Sequence, residues 1–435
     1  MAFPLRDKGR MDRRLADPST CTINTMTDRQ ELLATYLADL SGDAERAAEA
    51  FATGQSIGTW VPVPGITPQM RADHGARVVE IRPLAAGEAI GGEPDPDPGG
   101  SPSAPRPWLL RVAFPVVNFG PQYPMLFTTV LGNDPSTSLA VRLVDIELPE
   151  TVRDAFGGPR QGVDGWRRLT GVHDRPLLLN MIKPCTGYPP EVGADFLEAV
   201  ARGGCDLIKD DELLADPDFS RVVVRATVYR QRLDHIAEET GHRAWYVANV
   251  TSRARTIVDT ARTAIGAGAG AVMVNALAVG PDLVQELAEA DLGAPILAHT
   301  AGIETFTGSA HSGFGRAVLV GRILRLAGAD AIITDNPYGR RPPPRAVVRA
   351  TVDWLRRPWG RLSPTLPVVA GGMTAESIGP IVAEFGIDLM LGVGGAIQGH
   401  PDGATAGARA IRAAIDEATA AVRGRTTGAS PVLRA

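Results

Sequence analysis

The sequence predicts an α/β protein: a C-terminal (β/α)8 TIM barrel preceded by an α+β, ferredoxin-like N-terminal domain. Two observations carry the barrel. From residue 176 onward, short apolar runs alternate with helical patterns, eight times in roughly 240 residues, the size of this fold. Polar residues then stand at the ends of those runs, where a barrel places its active site. A third observation sets the N-terminal part aside. Up to about residue 150 strands come first, with only a helix or two, as in an α+β domain.

In chain order, residues 1–28 are polar and patternless and read as a disordered arm, with Met26 as a second candidate start after Met1. The α+β domain is assigned to residues 29–155. "ELLATYLADL" reads as a strand and "DAERAAEAFATG" as a helix with apolar residues at helical spacing. Strand character returns in "ARVVEIRPL", "PWLLRVAFPVV" and "SLAVRLVDIELP". Between them, "GGEPDPDPGGSPSAPRP" at 91–107 is low-complexity sequence, expected to be an exposed loop. The barrel is assigned to residues 156–420. Its runs are "PLLLNMIKP", "CDLIKDDE", "RAWYVANV", "AGAVMVNALAV", "PILAHTAG", "ADAIITDN", "LPVVAGGM" and "DLMLGVGG". They are nearly continuous in apolar character, as parallel strands covered on both faces should be. Helical patterns such as "EVGADFLEAVARGG", "AVLVGRILRLAGAD" and "TAESIGPIVAEFG" lie between them. The tail 421–435, "AVRGRTTGASPVLRA", is expected to be loose.

Composition removes several function classes. The net charge is -5, which leaves no electrostatic footprint for nucleic acid. No run of eighteen apolar residues exists to span a membrane, and the N-terminus lacks the apolar core of a secretory signal. Three cysteines, Cys21, Cys185 and Cys205, make no disulfide framework. The protein reads as cytoplasmic and reduced.

The strand ends carry the chemistry. In "GGCDLIKDDELLADPDF", side chains alternate, so Lys209 and Asp211 share one face and Asp210 faces the other way. Glu212 begins the loop and can turn toward the same point. Two carboxylates suit a hard cation such as Mg2+. A lysine beside them either pairs with them directly, with no metal, or reacts as a neutral amine with CO2 to give a carbamate, a third anionic ligand. Lys183, in "NMIKPCTG", is either a snorkelling strand-end lysine or a general base, desolvation and a nearby cation both lowering its pKa. The glycine pairs at 371–372 and 394–395 follow strands 7 and 8, where barrels often bind phosphate; tight turns are the alternative. His299, in "ILAHTAG", could polarise a carbonyl, relay a proton or serve as a structural donor. His311 and His400 read as loop residues, and Cys185 and Cys205 as core or near-core thiols. "GAGAG" at 266–270 is a helix-to-strand turn rather than a nucleotide loop.

On these residues the chain resembles the large subunit of ribulose-bisphosphate carboxylase, and specifically the non-carboxylating RuBisCO-like proteins, from about residue 30 to 420. "GGCDLIKDDELLADPDF" is similar to the family's metal motif. The resemblance implies a carbamylated Lys209 and metal carboxylates at Asp211 and Glu212. "MIKP" resembles the motif whose lysine handles the substrate proton, here Lys183. "GQSIGTW" resembles the N-terminal motif that contacts substrate phosphate, giving Thr59 and Trp60. "TTVLGN" resembles the motif whose asparagine reaches the neighbouring subunit's metal site, giving Asn133. The family's phosphate glycines fall on Gly372, Gly394 and Gly395, and its strand-5 histidine on His299.

The departures matter equally. The carboxylase's arginine after that histidine is Thr300 here, and its second histidine is Ile333. Its second lysine in "KPK" is Cys185, its glutamate before "GTW" is Gly54, and its mobile-loop lysine falls on Arg340. The resemblance therefore implies a metal site and one phosphate site without the second phosphate site or the carboxylation apparatus. The expected activity is Mg2+-dependent enolisation or isomerisation of a phosphorylated ketose, as of a methylthio-sugar phosphate in sulfur salvage, and not CO2 fixation. CO2 would enter only as the lysine carbamate. Alternatives are a decarboxylase or transcarboxylase–hydrolase of a phosphorylated keto-acid sugar, with Arg340 holding its carboxylate, and a catalytically silent regulatory protein. A homodimer with shared active sites is the minimum implied unit.

Overall fold

Near-alternating burial builds the N-terminal sheet. In the computed structural model, which describes residues 29–40, 42–58, 63–94 and 106–428, four strands form it: β1 (Glu31–Ala38), β2 (Arg77–Pro83), β3 (Trp108–Pro115) and β4 (Val141–Glu147). They pair antiparallel in the order β4-β1-β3-β2. Helix Ala44–Gly54 follows β1, opened by the Asp43 side chain accepting from Arg46 N. Helix Tyr123–Leu131 follows β3. The βαββαβ order is the ferredoxin-like arrangement the sequence predicts. Helix Pro68–His74, capped by Thr67, is an addition with no buried residue and so no hydrophobic signature.

The eight apolar runs form a closed parallel barrel. Its strands are β5 (Leu177–Met181), β6 (Leu207–Lys209), β7 (Trp245–Asn249), β8 (Ala271–Asn275), β9 (Ile296–His299), β10 (Ala331–Asp335), β11 (Leu366–Ala370) and β12 (Met390–Val393). β12 closes on β5 with Met390 opposite Leu177. Alternate residues fill the interior: Leu177 and Leu179, Leu207, Val247, Ala331 and Ile333, with Trp166 from helix Gly162–Thr170. The intervening residues pack against the outer helices. Each strand thus buries both faces, which is why the runs look continuous.

Three expectations need correction. The segment 91–107 is not exposed throughout. Glu93 is 4% exposed and accepts from Arg142 Nη2 at 2.8 Å and from Arg316 N at 2.6 Å, fastening the N-terminal sheet to the barrel. A Pro/Gly-rich context hid one anchoring carboxylate. Residues 95–105 of that loop lie outside the described residues. The last helix, Ala404–Gly428, runs past the expected start of the loose tail at 421. The apolar "AVLVGRILRL" is a π-helix over Ala317–Ile323 before one α-turn, buried on every side. Just before it, Gly313–Phe314 adds a short parallel strand to β4, a second tie between the domains. No described helix is long and apolar enough to cross a membrane.

Candidate active site

Barrel geometry turns alternate residues inward, and beyond β6 the rule decides three charges. Lys209 and Asp211 face the barrel mouth; Asp210 faces the surrounding helices. Asp210 Oδ2 accepts from Arg225 Nη2 at 3.0 Å, Tyr246 OH at 2.5 Å and Asn249 N at 3.0 Å. This pair is fully buried and belongs to the scaffold.

Lys209 is also wholly buried. Its ammonium donates to the Asp210 carbonyl at 2.8 Å. Desolvation pulls its pKa down to about 8, against the opposing pull of Glu212, Asp211 and Asp210. Lys183 reaches Asp211 Oδ2 at 2.5 Å and Cys185 Sγ at 3.1 Å. Desolvation alone would lower its pKa, but those two hydrogen bonds outweigh it and the net shift is upward. The expected lowering of Lys183 is therefore reversed in this arrangement: while tied to Asp211 it is a cation and no base. The Lys183 contact in turn draws the Asp211 carboxyl down, overcoming its desolvation.

Two asparagines hold the acidic loop in place. Asn249 Nδ2 donates to the carbonyls of Asp211 at 3.2 Å and Glu212 at 3.3 Å, and Asn275 Nδ2 donates to the Glu212 carbonyl at 2.9 Å. Both stood out in the sequence only as polar strand ends. His299 Nδ1 accepts from Ala301 N at 3.0 Å, so the ring's proton sits on Nε2, 3.5 Å from Glu212 Oε2. Burial, then Lys209, lowers the His299 pKa to about 3 and keeps the ring neutral. His311 instead meets Asp39 Oδ2 at 2.8 Å on the surface, and His400 Nδ1 accepts from Asp402 N at 3.2 Å within a turn. Cys205 is buried and its thiol pushed up by desolvation, as a core residue should be.

These groups open into a cavity of about 560 Å3. Lys183, Glu212 and His299 line it with Thr300 and Ile333, and Gly371, Gly372, Gly394 and Gly395 line it from β11 and β12. Gly371 and Gly372 sit at φ +102° and +62°, which glycine alone adopts readily in succession. A Cβ on Gly394 would come within 2.8 Å of Met181 and 3.6 Å of the Lys183 side chain. Arg340 is exposed on the rim beside Gly372 and does not line the cavity.

The N-terminal candidates lie elsewhere in the chain. Asn133 is exposed and borders a larger cavity, about 820 Å3, on the N-terminal domain with Gly54, Gly58 and Asp134. Gln55 joins those two segments, donating to Thr129 O at 3.0 Å and accepting from Asp134 N at 3.2 Å. Despite its size this cavity has none of the barrel-mouth chemistry. Thr59 and Trp60 fall outside the described residues.

The residues fit a magnesium ion only with one addition. Among the described residues no three His, Cys, Asp or Glu side chains stand ready as a metal cage. Asp211 and Glu212 supply two carboxylates. Lys209, buried and with a depressed pKa, is the group able to supply a third anionic oxygen once its amine has taken up CO2.

Known proteins resemble the chain over most of its length. Residues 22–152 match the model of the ribulose bisphosphate carboxylase large chain N-terminal domain, and residues 162–430 that of its catalytic domain. A ribulose bisphosphate carboxylase-like protein of Archaeoglobus fulgidus is 38% identical over 372 residues, 85% of this chain and 83% of its own. A 2,3-diketo-5-methylthiopentyl-1-phosphate enolase of Geobacillus kaustophilus is 35% identical over 390 residues, covering 88% and 92% of the two chains. Among solved structures, a RuBisCO-like protein from Alicyclobacillus acidocaldarius superposes with a TM-score of 0.80 at 33% identity, covering 91% of this chain and 95% of that one.

Proposed function

The chain belongs to the ribulose-bisphosphate carboxylase large-chain family, and from that premise we propose that it enolises or isomerises a phosphorylated ketose, such as a methylthio-sugar phosphate, without fixing CO2. One observation carries this reading. The acid–lysine cluster and the glycine wall share one cavity, and among the described residues no unpaired cation lines its β9–β10 side for a second phosphate. The enolase activity named for the Geobacillus relative supports the reaction class.

In this reading Asp211, Glu212 and a carbamylated Lys209 would hold Mg2+. The bound cation supplies Lewis-acid polarisation of the substrate carbonyl and raises the acidity of the adjacent C–H. Gly372, Gly394 and Gly395 offer backbone to the phosphate, and the family resemblance assigns Thr59 and Trp60 a phosphate contact as well. Asp211 cannot serve a cation and Lys183 equally. With the Asp211 carboxylate engaged by a cation, Lys183 would lose the partner that raises its pKa and keep the desolvation that lowers it. Lys183 is then placed to take the α-proton as general base. Neutral His299 donates through Nε2 and orients the substrate oxygens. Asn133 would reach the site from a second subunit, because within one chain it borders a different cavity. A homodimer follows as the working unit. A decarboxylase that holds a substrate carboxylate through Arg340 is less well supported, because Arg340 stands on the rim.

The test is solvent deuterium exchange. With Mg2+, bicarbonate and a panel of ketose monophosphates, the α-proton should wash out in the NMR spectrum, and Lys209→Ala should abolish the exchange. No exchange across the panel would overturn the enolase reading in favour of a regulatory protein. Unchanged Mg2+-dependent exchange in Lys209→Ala would overturn the carbamate.

A further inference from the structure

One wall of the cavity carries a carboxylate that the proposed chemistry does not use. Asp335 ends β10. It shares parity with Ala331 and Ile333, both in the barrel interior, so its side chain turns into the mouth and lines the cavity. Its two oxygens accept from Arg316 Nη1 at 2.8 and 2.9 Å. Arg316 is buried, with 8% of its side chain exposed, while Asp335 keeps 32%. The arginine's other terminal nitrogen pairs with Glu304, and its backbone N is held by Glu93. The guanidinium is therefore shared between two carboxylates, and Asp335 is fixed as the acceptor that faces the cavity. Among the described residues the neighbours on this wall add no cation. Thr300 spends its hydroxyl proton on Ile333 O at 3.1 Å, and Ile333 itself is apolar.

The geometry points to Asp335 as the specificity-determining residue of the site: it accepts a hydrogen bond from a hydroxyl on the far carbons of a sugar monophosphate and shuts out a second phosphate. The inference rests on the reading that the glycine wall binds the first phosphate. Like charges brought together in a partly desolvated site repel strongly, so a phosphate at this end meets the Asp335 carboxylate, whose cation Arg316 lies buried behind it and is shared with Glu304. A wholly apolar end would cover a carboxylate without giving it a donor. A hydroxyl donates to it directly. The preferred ligand then differs at this end from the diketone named for the Geobacillus relative, because it keeps hydroxyls on those carbons.

Calorimetric titration of the full-length protein with Mg2+ and bicarbonate tests this with three probes: a pentitol 1-phosphate, its 4,5-dideoxy analogue, and the pentitol 1,5-bisphosphate. The wild type should bind the first about tenfold or more tighter than either of the others. Asp335→Ala should lose the preference over the dideoxy analogue. It also frees Arg316 to face the cavity, so bisphosphate binding should tighten about tenfold or more. Asp335→Asn keeps the shape and an acceptor oxygen. It should relax only the exclusion of the bisphosphate, and it carries the test if the alanine variant fails to fold. Equal binding of monophosphate and bisphosphate by the wild type, or unchanged ratios in the variants, would overturn the inference alone. If none of the three probes binds the wild type, the phosphate-binding reading of the glycines falls, and this inference with it.

Discussion

Asp210 and Asp211 are adjacent in the chain and both fully buried, yet they are held in opposite ways. Asp210 faces out of the barrel, where its Oδ2 takes three donors from fixed groups: a buried arginine, a buried tyrosine and a backbone N–H. Asp211 faces in. Its side-chain partners are the backbone N of Leu213 and one lysine whose side chain is 35% exposed at the cavity. The contrast separates structure from chemistry. A buried charge whose partners are all immobile fixes the strand end. A buried charge whose chief partner can leave is available to a ligand.

The largest expected effect on folding is at Asp210. Asp210→Ala leaves the Arg225 cation buried with only carbonyl and hydroxyl acceptors, and breaking a buried pair from one side costs about 3–5 kcal/mol. Denaturant titration should show the loss. A change under about 1 kcal/mol, the range of exposed pairs, would mean the network is not the anchor described here.

The contrast was half legible in the sequence. Strand parity alone put Lys209 and Asp211 on one side and Asp210 on the other, because a two-residue period needs no knowledge of partners. The eight strands were legible for a similar reason: each is a short apolar run that stops at a polar end. The partners were not. Arg225 lies within helix Val222–Thr240 and Tyr246 on β7, and only the closed barrel brings them to Asp210. The direction of the Lys183 shift turns on a contact with Asp211, 28 residues on. Glu93 was hidden in a Pro/Gly segment. Asp335 was visible as a strand end, but nothing in the sequence marked Arg316, 19 residues earlier, as its partner. The end of the terminal helix is not legible because glycine and threonine at 424–428 resemble a loose end.

The next expected effect is at Lys209, and it depends on pH. Its folded pKa, about 8, lies below the roughly 10.4 of an unfolded lysine. Between those values the unfolded chain binds the extra proton. Stability therefore rises with pH across that window, and below pH 8 the whole penalty is present, on the order of 3 kcal/mol. In chelator-treated protein without bicarbonate, Lys209→Met should be more stable than the wild type at pH 7, and the gain should fade as pH rises from about 8 to about 10.4. A gain that grew with pH, or a loss at pH 7, would reverse the sign and show that the ammonium is well satisfied where it sits.

The smallest of these effects on folding, at Asp211, comes with a large effect on turnover. Asp211→Asn keeps the shape of the side chain and removes a charge whose lysine partner can turn to water. Stability should change by less than about 1 kcal/mol, as for a partly exposed pair. Deuterium exchange should nevertheless fall by about 100-fold or more, because the proposed metal loses a carboxylate and Lys183 loses the competitor that sets its proton. Lys183 also loses the charged partner that raises its pKa, so any residual exchange should persist to lower pH before the base is protonated. A variant that lost several kcal/mol of stability while keeping its exchange would erase the distinction between the two neighbours and return Asp211 to the scaffold.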